Sequence, residues 1–179
     1  MLVQRMIRAA RLDPDVYYEL HRDRTANGQA FLAVLIVLAC GLISSGAWYR
    51  PMAVIFGAIN IVGGWIFWVA IAAAVGDRLG GRADFESVLR ATGFAYAPQM
   101  LQLFAIVPGL GLPFGLIGWL WSVVARVVAV REVMGFSTKQ AVQTTVVTTV
   151  IVAIIQIIIC KISGATLGSF GMLLSQLRP

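Results

Sequence analysis

The distribution of apolar and polar residues divides the chain into five long apolar segments joined by short polar ones. The apolar segments cover residues 30–48, 52–75, 88–107, 114–130 and 142–160. A helix of about 20 residues rises ~30 Å, which matches the thickness of the hydrocarbon layer of a bilayer. The pattern therefore predicts an all-α fold, an integral membrane bundle of five transmembrane helices.

The central part of the chain, residues 84–140, has the pattern of a transmembrane hairpin. Its two apolar segments are joined by a turn that contains only proline, glycine and leucine. Pro98 interrupts the first of the two helices, because proline has no backbone N–H and its ring clashes with the preceding turn. We expect a kink there. The turn residues are Pro108, Gly109, Gly111 and Pro113.

The first residues of the chain predict an amphipathic helix. Val3 and Ile7 share one face, whereas Arg5, Arg8 and Arg11 lie on the other. Such a helix can lie in the headgroup region of a membrane, with its arginines binding anionic lipid headgroups. The alternative is that these arginines only set the topology, and the two interpretations are compatible.

Lys and Arg residues are divided unequally between the two sides that five spans define. Eleven of the fourteen fall on the side of the amino terminus, and the other side has Arg50, Lys161 and Arg178. The positive-inside rule then places the amino terminus in the cytoplasm and the carboxyl terminus outside, in what we expect to be a bacterial inner membrane. The predicted parts are a cytoplasmic segment (1–29), a membrane domain (30–160) and an extracytoplasmic tail (161–179), which is either a surface helix or a docking segment.

The composition supports a membrane protein and argues against a nucleic-acid partner. Hydrophobic residues make up 59% of the chain and charged residues 12%, against roughly a quarter in ordinary soluble domains. The net charge of +6 is concentrated at the ends of apolar segments and does not follow one face with interleaved aromatic residues. Cys40 and Cys160 both fall within apolar segments, and we interpret them as packing residues.

Small and polar residues recur at helical spacing within the apolar segments. Small residues allow helix backbones to approach closely, and amides and hydroxyls form hydrogen bonds across the contact, because an unpaired polar group in lipid is costly. We interpret these positions as helix interfaces, with a solute pathway as the alternative. They are Gly57, Asn60, Gly64, Gln99, Gln102, Thr145, Thr149 and Gln156.

Arg126 is the one charged residue well inside an apolar segment. Its long side chain can extend to the headgroups of the cytoplasmic face, an arrangement known as snorkelling. The alternative is a buried ion pair with Asp77, Glu86 or Glu132. Every acidic residue lies in a predicted cytoplasmic segment, which argues against proton-coupled transport through the middle of the membrane.

The sequence gives no sign of a catalytic site. His21 is the only histidine and lies in the amino-terminal segment, which argues against Ser–His catalysis and a His-rich metal site within the membrane. We therefore predict no enzymatic activity, no metal and no cofactor of the chain's own. A bound lipid, or contact with a pigment of a neighbouring subunit, stays open.

Several short motifs follow one another in a specific order between residues 11 and 160. They are Arg11-Leu-Asp-Pro-Asp-Val-Tyr17 before Gly28-Gln-Ala-Phe-Leu32, then Phe85-Glu-Ser-Val-Leu-Arg-Ala-Thr-Gly-Phe-Ala-Tyr-Ala-Pro98, Pro108-Gly-Leu-Gly111, and Trp119-Leu-Trp121 followed by Ser137-Thr-Lys-Gln-Ala141. With these motifs the chain resembles the Yip domain family, the Ypt/Rab-interacting membrane proteins, in its short bacterial form. The resemblance implies five spans with a cytoplasmic amino terminus and a carboxyl terminus on the opposite side. Eukaryotic members are linked to Rab-type GTPases through a longer cytoplasmic region, so the short segment 1–29 argues against that partner here.

Two functions are consistent with these features. The first is a non-catalytic scaffold or accessory subunit of a larger membrane complex. Its partners would be membrane lipids and other integral membrane proteins or further copies of itself. The alternative is a small-solute channel or carrier lined by Asn60, Gln99, Gln102 and Gln156.

Overall fold

A computed structural model describes the backbone of residues 1–81 and 84–176, and the side chains of the same residues except 53, 160 and 162–176. The described part of the chain is helical and contains no β-strand. The α-helices are α1 (Leu2–Ala10), α2 (Pro14–Arg22), α3 (Asn27–Ser44), α4 (Pro51–Ala58), α5 (Gly64–Arg78), α6 (Phe85–Phe94), α7 (Gly111–Met134) and α8 (Thr138–Gln176).

Four helical stretches within the described residues are long and apolar enough to cross a membrane. The second of them joins α4 to α5 through five residues of π-helix, Ile59–Gly63, which we call the π segment. The fourth belongs to α8, whose backbone continues to Gln176. The predictions for the side chains of Cys160 and of the tail lie outside the described residues. The stretches are Arg24–Ser44, Val54–Arg78, Gly111–Met134 and Thr138–Ile159.

The predicted span 88–107 is not one continuous α-helix. It consists of α6 and, after a break, ten residues of 3-10 helix, Ala97–Ile106, which we call the 3-10 segment. Pro98 lies at the start of that segment, where its missing N–H costs no hydrogen bond. Runs of 3-10 helix longer than three or four residues are uncommon, because their hydrogen-bond geometry is poorer than that of an α-helix. The kink expected at Pro98 is thus a change of helix type.

The turn between the 3-10 segment and α7 is built around Gly109, whose φ is +87°. This left-handed conformation is open to glycine because it has no Cβ. The helix that follows begins at Gly111, three residues earlier than the sequence predicts, so Pro113 lies in its first turn. Pro108 directly precedes Gly109 in this turn.

Helix boundaries at both ends of the chain have capping side chains. Asp13 accepts a hydrogen bond from the backbone N–H of Asp15 at 3.0 Å, which caps α2. At the start of α8, the side chain of Gln140 accepts a hydrogen bond from the Ser137 N–H at 3.1 Å, and Ser137 Oγ accepts one from the Gln140 N–H at 3.4 Å. This reciprocal pair is a capping box, which fixes where the last helix begins.

The amino-terminal helix α1 packs against the protein with a face that includes Arg5 and leaves Val3 exposed. Val3 is 65% exposed, whereas Arg5 is only 8% exposed. The guanidinium of Arg5 donates to Glu19 at 3.0 Å and to Asp23 at 2.8 Å, so the acidic face of α2 draws this arginine inward. The hydrogen bond from Arg5 also lowers the pKa of the Glu19 carboxyl group. The headgroup role predicted for Arg5 therefore competes with an intramolecular ion pair.

The other two arginines of this helix differ from Arg5 in their surroundings. Arg8 is partly exposed and forms an ion pair with Asp13 at 2.7 Å. Arg11 is exposed and makes no side-chain hydrogen bond to the described residues. Of the three arginines predicted to meet lipid headgroups, Arg11 is the one left free to do so.

The bundle is centred on α7. This helix packs against the 3-10 segment, α6 and α8, while α3 packs against the 3-10 segment and α6. The α5 helix lies against α8 and α6, and α2 covers α6 and α7. Two tryptophans of α5, Trp65 and Trp68, are buried at these contacts. Trp68 lies beside Arg126, a buried arginine of α7.

Candidate functional site

The most unusual side chain in the bundle is that of Arg126, which is 5% exposed although it carries a charge. Its guanidinium carbon lies 4.4 Å from the centroid of the Tyr96 ring and 5.3 Å from that of Trp68. Both distances are within the range of a cation–π interaction. Arg126 is therefore held between an aromatic residue that precedes the 3-10 segment and one on α5.

No carboxylate among the described residues forms an ion pair with Arg126. Its Nε atom is buried and has no hydrogen-bond partner in the described part of the chain. This differs from both sequence predictions, because the side chain neither extends to the surface nor meets Asp77, Glu86 or Glu132. The reason is the pair of aromatic rings that holds it inside the bundle.

The energetic balance at Arg126 is unfavourable without a further partner. Burying an unpaired ion costs several kcal/mol even after the protein relaxes. A desolvated cation–π interaction returns about 2 kcal/mol. The two rings therefore offset only part of the cost, and an anion close to Arg126 would lower the free energy of the folded protein.

A cavity of about 290 Å³ opens beside Arg126. Its polar lining comes from several separate elements, since Asn60 belongs to the π segment, Gln99 to the 3-10 segment, and Thr149 and Gln156 to α8. No acidic residue lines the cavity among the described residues. The structure thus brings together three of the four side chains predicted to line a solute pathway.

The fourth, Gln102, lies elsewhere. Its amide donates a hydrogen bond to the Val37 carbonyl at 2.8 Å. A Cβ atom at Gly41 would lie 3.2 Å from the Gln102 amide oxygen. Gln102 therefore joins the 3-10 segment to α3 and acts as a helix-interface residue.

The cavity wall is ordered by hydrogen bonds that involve Ser122, a residue the sequence analysis did not identify. Ser122 donates to the Ala95 carbonyl at 2.8 Å and accepts from the Gln99 amide at 3.2 Å. The first bond satisfies a carbonyl freed by the helix break before Pro98. The available signal was its spacing, because Ser122 is four residues before Arg126 and so lies on the same face of α7.

Residues of α5 and α8 complete the site through contacts between the helices. Trp68 donates its indole N–H to the Thr149 hydroxyl at 3.2 Å. A Cβ atom at Gly64 would lie 3.5 Å from the Gln156 amide nitrogen, an ordinary van der Waals distance, so the two residues are direct neighbours across the contact between α5 and α8. Thr145 is fully buried one turn before Thr149, and its hydroxyl has no partner among the described residues.

A second depression continues from the cavity and is mainly apolar. It has a volume of about 550 Å³ and shares Asn60, Gly64 and Gln156 with the cavity. We call it the α5–α8 groove, after the two helices that supply most of its lining. Its apolar residues include Ile59, Phe67, Val152, Ile155 and Ile159.

The small residue Gly57 serves a contact outside the cavity. A Cβ atom built on it would lie 3.1 Å from a methyl carbon of Leu38 on α3. A Cβ atom at this position therefore requires the Leu38 methyl group to shift by a few tenths of an ångström. Gly57 is an interface residue between consecutive helices, whereas Asn60 and Gly64 border the cavity.

The helices and the buried polar site define the class, a polytopic α-helical membrane protein. The sequence matches the Yip1 domain over residues 11–160, so the chain belongs to the Yip1 domain family of membrane proteins. This confirms the resemblance on which the sequence analysis drew. A search of curated proteins and a search of solved structures gave no match.

Proposed function

We propose that the chain is a non-catalytic membrane scaffold or accessory subunit, which binds other integral membrane proteins or a second copy of itself. The observation that carries this proposal is the exposed surface of the helix Val54–Arg78. Only 17% of its most apolar 18-residue window is buried within the chain, against 33% for the corresponding window of Gly111–Met134. Among the four stretches in the described part of the chain, this one has the smallest buried share and so the most exposure to offer a partner within the membrane.

Details of the same helix favour a protein partner over lipid alone. A Cβ atom at Gly63 would meet nothing within 4 Å, so the backbone of another helix can approach closely there. Gly63 ends the π segment, and such interruptions of α-helices are frequent at functional sites. On the preceding turns, Ile55 and Phe56 are exposed and supply apolar contact area.

The proposed arrangement in the membrane has five spans, with the amino terminus in the cytoplasm of a bacterial cell. Ten residues of α-helix rise about 15 Å and ten residues of 3-10 helix about 20 Å, so α6 and the 3-10 segment together are long enough to cross. The positive-inside rule supports this orientation. The proposed partners do not include a nucleic acid or a Rab-type GTPase, and we propose no cofactor bound by this chain itself. Contact with a pigment of a neighbouring subunit is compatible with the scaffold role.

We expect the double substitution Ile55→Ala and Phe56→Ala to weaken association with the partner. Removing large apolar side chains from a packed interface loses van der Waals contacts that alanine cannot replace. The measurement is native mass spectrometry of protein extracted from its own membrane in a mild detergent. The matched control is Leu116→Ala with Leu120→Ala, which removes exposed apolar side chains from α7.

The scaffold proposal predicts a complex that the first variant loses and the control keeps. Isolated monomer as the sole species in both detergent and native membrane particles would contradict it. If both double variants lose the complex equally, the loss comes from a general change in helix packing and not from the surface of Val54–Arg78.

A small-solute channel or carrier is the second candidate, favoured by the polar cavity at Arg126. If solutes pass through this cavity, Gln99→Leu and Gln156→Leu should each reduce liposome flux, because each removes an amide from its lining. Gln102→Leu is the control, since Gln102 bonds to α3 instead. Flux that is unchanged in the first two variants, or reduced equally by all three, would argue against this function.

A further inference from the structure

Arg126 differs from the other buried arginines in forming no ion pair with any carboxylate that the structure describes. Arg5, Arg8, Arg90 and Arg131 each form an ion pair with a carboxylate. Arg126 is more than nine-tenths buried, faces a cavity and has an Nε atom without a hydrogen-bond partner in the described part of the chain. The site therefore has a fixed positive charge with a cavity beside it.

The other polar groups at this cavity are suited to an anion. Asn60 and Gln156 each offer an amide NH₂, and neither makes a side-chain hydrogen bond to a described residue. Thr149 uses its oxygen to accept from Trp68, which leaves its hydroxyl hydrogen free to donate. With no described acidic residue in the lining, these donors and Arg126 favour a phosphate or carboxylate group.

The continuation of the cavity into the α5–α8 groove indicates what the anion is attached to. The groove is lined mainly by Ile59, Phe67, Ile155 and Ile159, and it is the larger of the two volumes. An inorganic anion would leave this apolar volume unused. A ligand with an acyl chain fills both parts, with its charged end at Arg126.

The direction of the groove agrees with a lipid from the leaflet on the side of the amino-terminal helices. That side is marked by the Gln140 amide, which donates to the Leu79 carbonyl at 3.2 Å and so joins the start of α8 to the end of α5. From there, α8 first reaches Thr149, about 16 Å along its axis, and then Ile155 and Ile159. Thr149 thus lies closer to this side than Ile159 does, and Gln156 lies between them, where the cavity meets the groove.

We propose that the Arg126 cavity and the α5–α8 groove bind one anionic phospholipid, with the headgroup phosphate against Arg126 and an acyl chain along the groove. A phospholipid is favoured over a fatty acid because the polar cavity of about 290 Å³ has room for a phosphate and its glycerol substituents. This proposal is separate from the scaffold role and from solute transport, although the lipid would lie against Gly63 in the groove and would fill the cavity of the second candidate function.

The test is native mass spectrometry of the delipidated full chain with two probes, phosphatidylglycerol and phosphatidylcholine of identical acyl chains. Arg126→Gln removes the charge, and Arg50→Gln, at an exposed position, is the control with the same change in net charge. Ala153→Trp is a second variant that fills the cavity and keeps Arg126. Brominated phosphatidylglycerol shows where the lipid binds, because bromine quenches the fluorescence of nearby tryptophans, and Trp68 and Trp119 lie in the cavity wall.

We expect the unmodified chain to retain one phosphatidylglycerol in preference to phosphatidylcholine. Arg126→Gln and Ala153→Trp should each weaken this binding by about tenfold or more, since a charge-assisted contact or the cavity itself is lost. Arg50→Gln should bind as the unmodified chain does. Quenching by the brominated lipid should fall in Arg126→Gln, which leaves the set of tryptophans unchanged.

Other outcomes would overturn the proposal. Equal retention of the two lipids, or binding that survives Arg126→Gln, would remove the role of the charge. Binding of oleate that excludes phosphatidylglycerol would make the site one for fatty acids. Binding of inorganic phosphate with the same affinity would remove the role of the groove.

Discussion

Arg90→Ala will loosen the packing of α2 and the start of α3 against α6, with an expected loss of about 3–5 kcal/mol in the free energy of unfolding, because several oxygen acceptors lose a charged hydrogen-bond donor. Arg90 is 1% exposed and donates hydrogen bonds to the carbonyls of Leu20 and His21 at 3.0 and 3.1 Å. It also donates to the Asn27 side chain at 3.0 Å and pairs with Glu86 at 3.6 Å. Removing the guanidinium leaves these groups without their donor, so the junction of α2, α3 and α6 loses its main polar contact.

Thermal unfolding in detergent and limited proteolysis between α2 and α3 measure this effect. Arg11→Ala is the matched control, because Arg11 is exposed and makes no side-chain hydrogen bond to the described residues. Arg90→Lys should recover only part of the stability, since an ammonium group cannot reproduce the planar arrangement of guanidinium donors. An unfolding temperature of Arg90→Ala equal to that of Arg11→Ala would show that the contact contributes nothing.

Gly93→Ala should destabilise the centre of the bundle by about 1–3 kcal/mol, the usual cost of overpacking a closely packed core. A Cβ atom at Gly93 would lie 2.9 Å from the Ala30 Cβ and 2.9 Å from a ring carbon of Trp65. It would also lie 3.1 Å from the Ala30 carbonyl oxygen, which belongs to the backbone of α3 and cannot rotate away. The expected result is a fall of several degrees in the thermal unfolding temperature in detergent.

Gly115→Ala is the control for this substitution, because a Cβ atom there meets nothing within 4 Å. Alanine favours a helix more than glycine does, so this variant should be as stable as the unmodified chain or slightly more stable. If Gly93→Ala unfolds at the same temperature as Gly115→Ala, α3 and α6 are packed less closely than described.

The apolar spans could be predicted from the sequence because length and hydropathy decide whether a helix can cross a bilayer. The segment 88–107 is as long as the other predicted spans, yet it forms α6 and the 3-10 segment. Pro98 was visible as a point of interruption, but proline restricts the conformation only locally. Which helix type follows depends on tertiary contacts, such as the hydrogen bond from Ser122 to the Ala95 carbonyl.

The environment of Arg126 could not be predicted, because it too depends on contacts between different helices. Helical spacing identifies residues on one face of one helix, whereas the Arg126 site depends on Trp68 and Tyr96, which precede it by 58 and 30 positions. The polar residues Asn60, Gln99 and Gln156 were recognised individually as interface or lining positions. Their convergence at one cavity, and the separation of Gln102 from it, follow from the helix packing.

The contacts of Arg90 also constrain the order in which the protein is assembled during synthesis. Residues 20–27 leave the ribosome first, but the arginine that anchors them is about 70 residues later in the chain. Because translation adds roughly 5–20 residues per second, the amino-terminal helices wait several seconds for this anchor while the first two spans enter the bilayer. During that interval they remain undocked, which makes them accessible to an insertion factor or a chaperone.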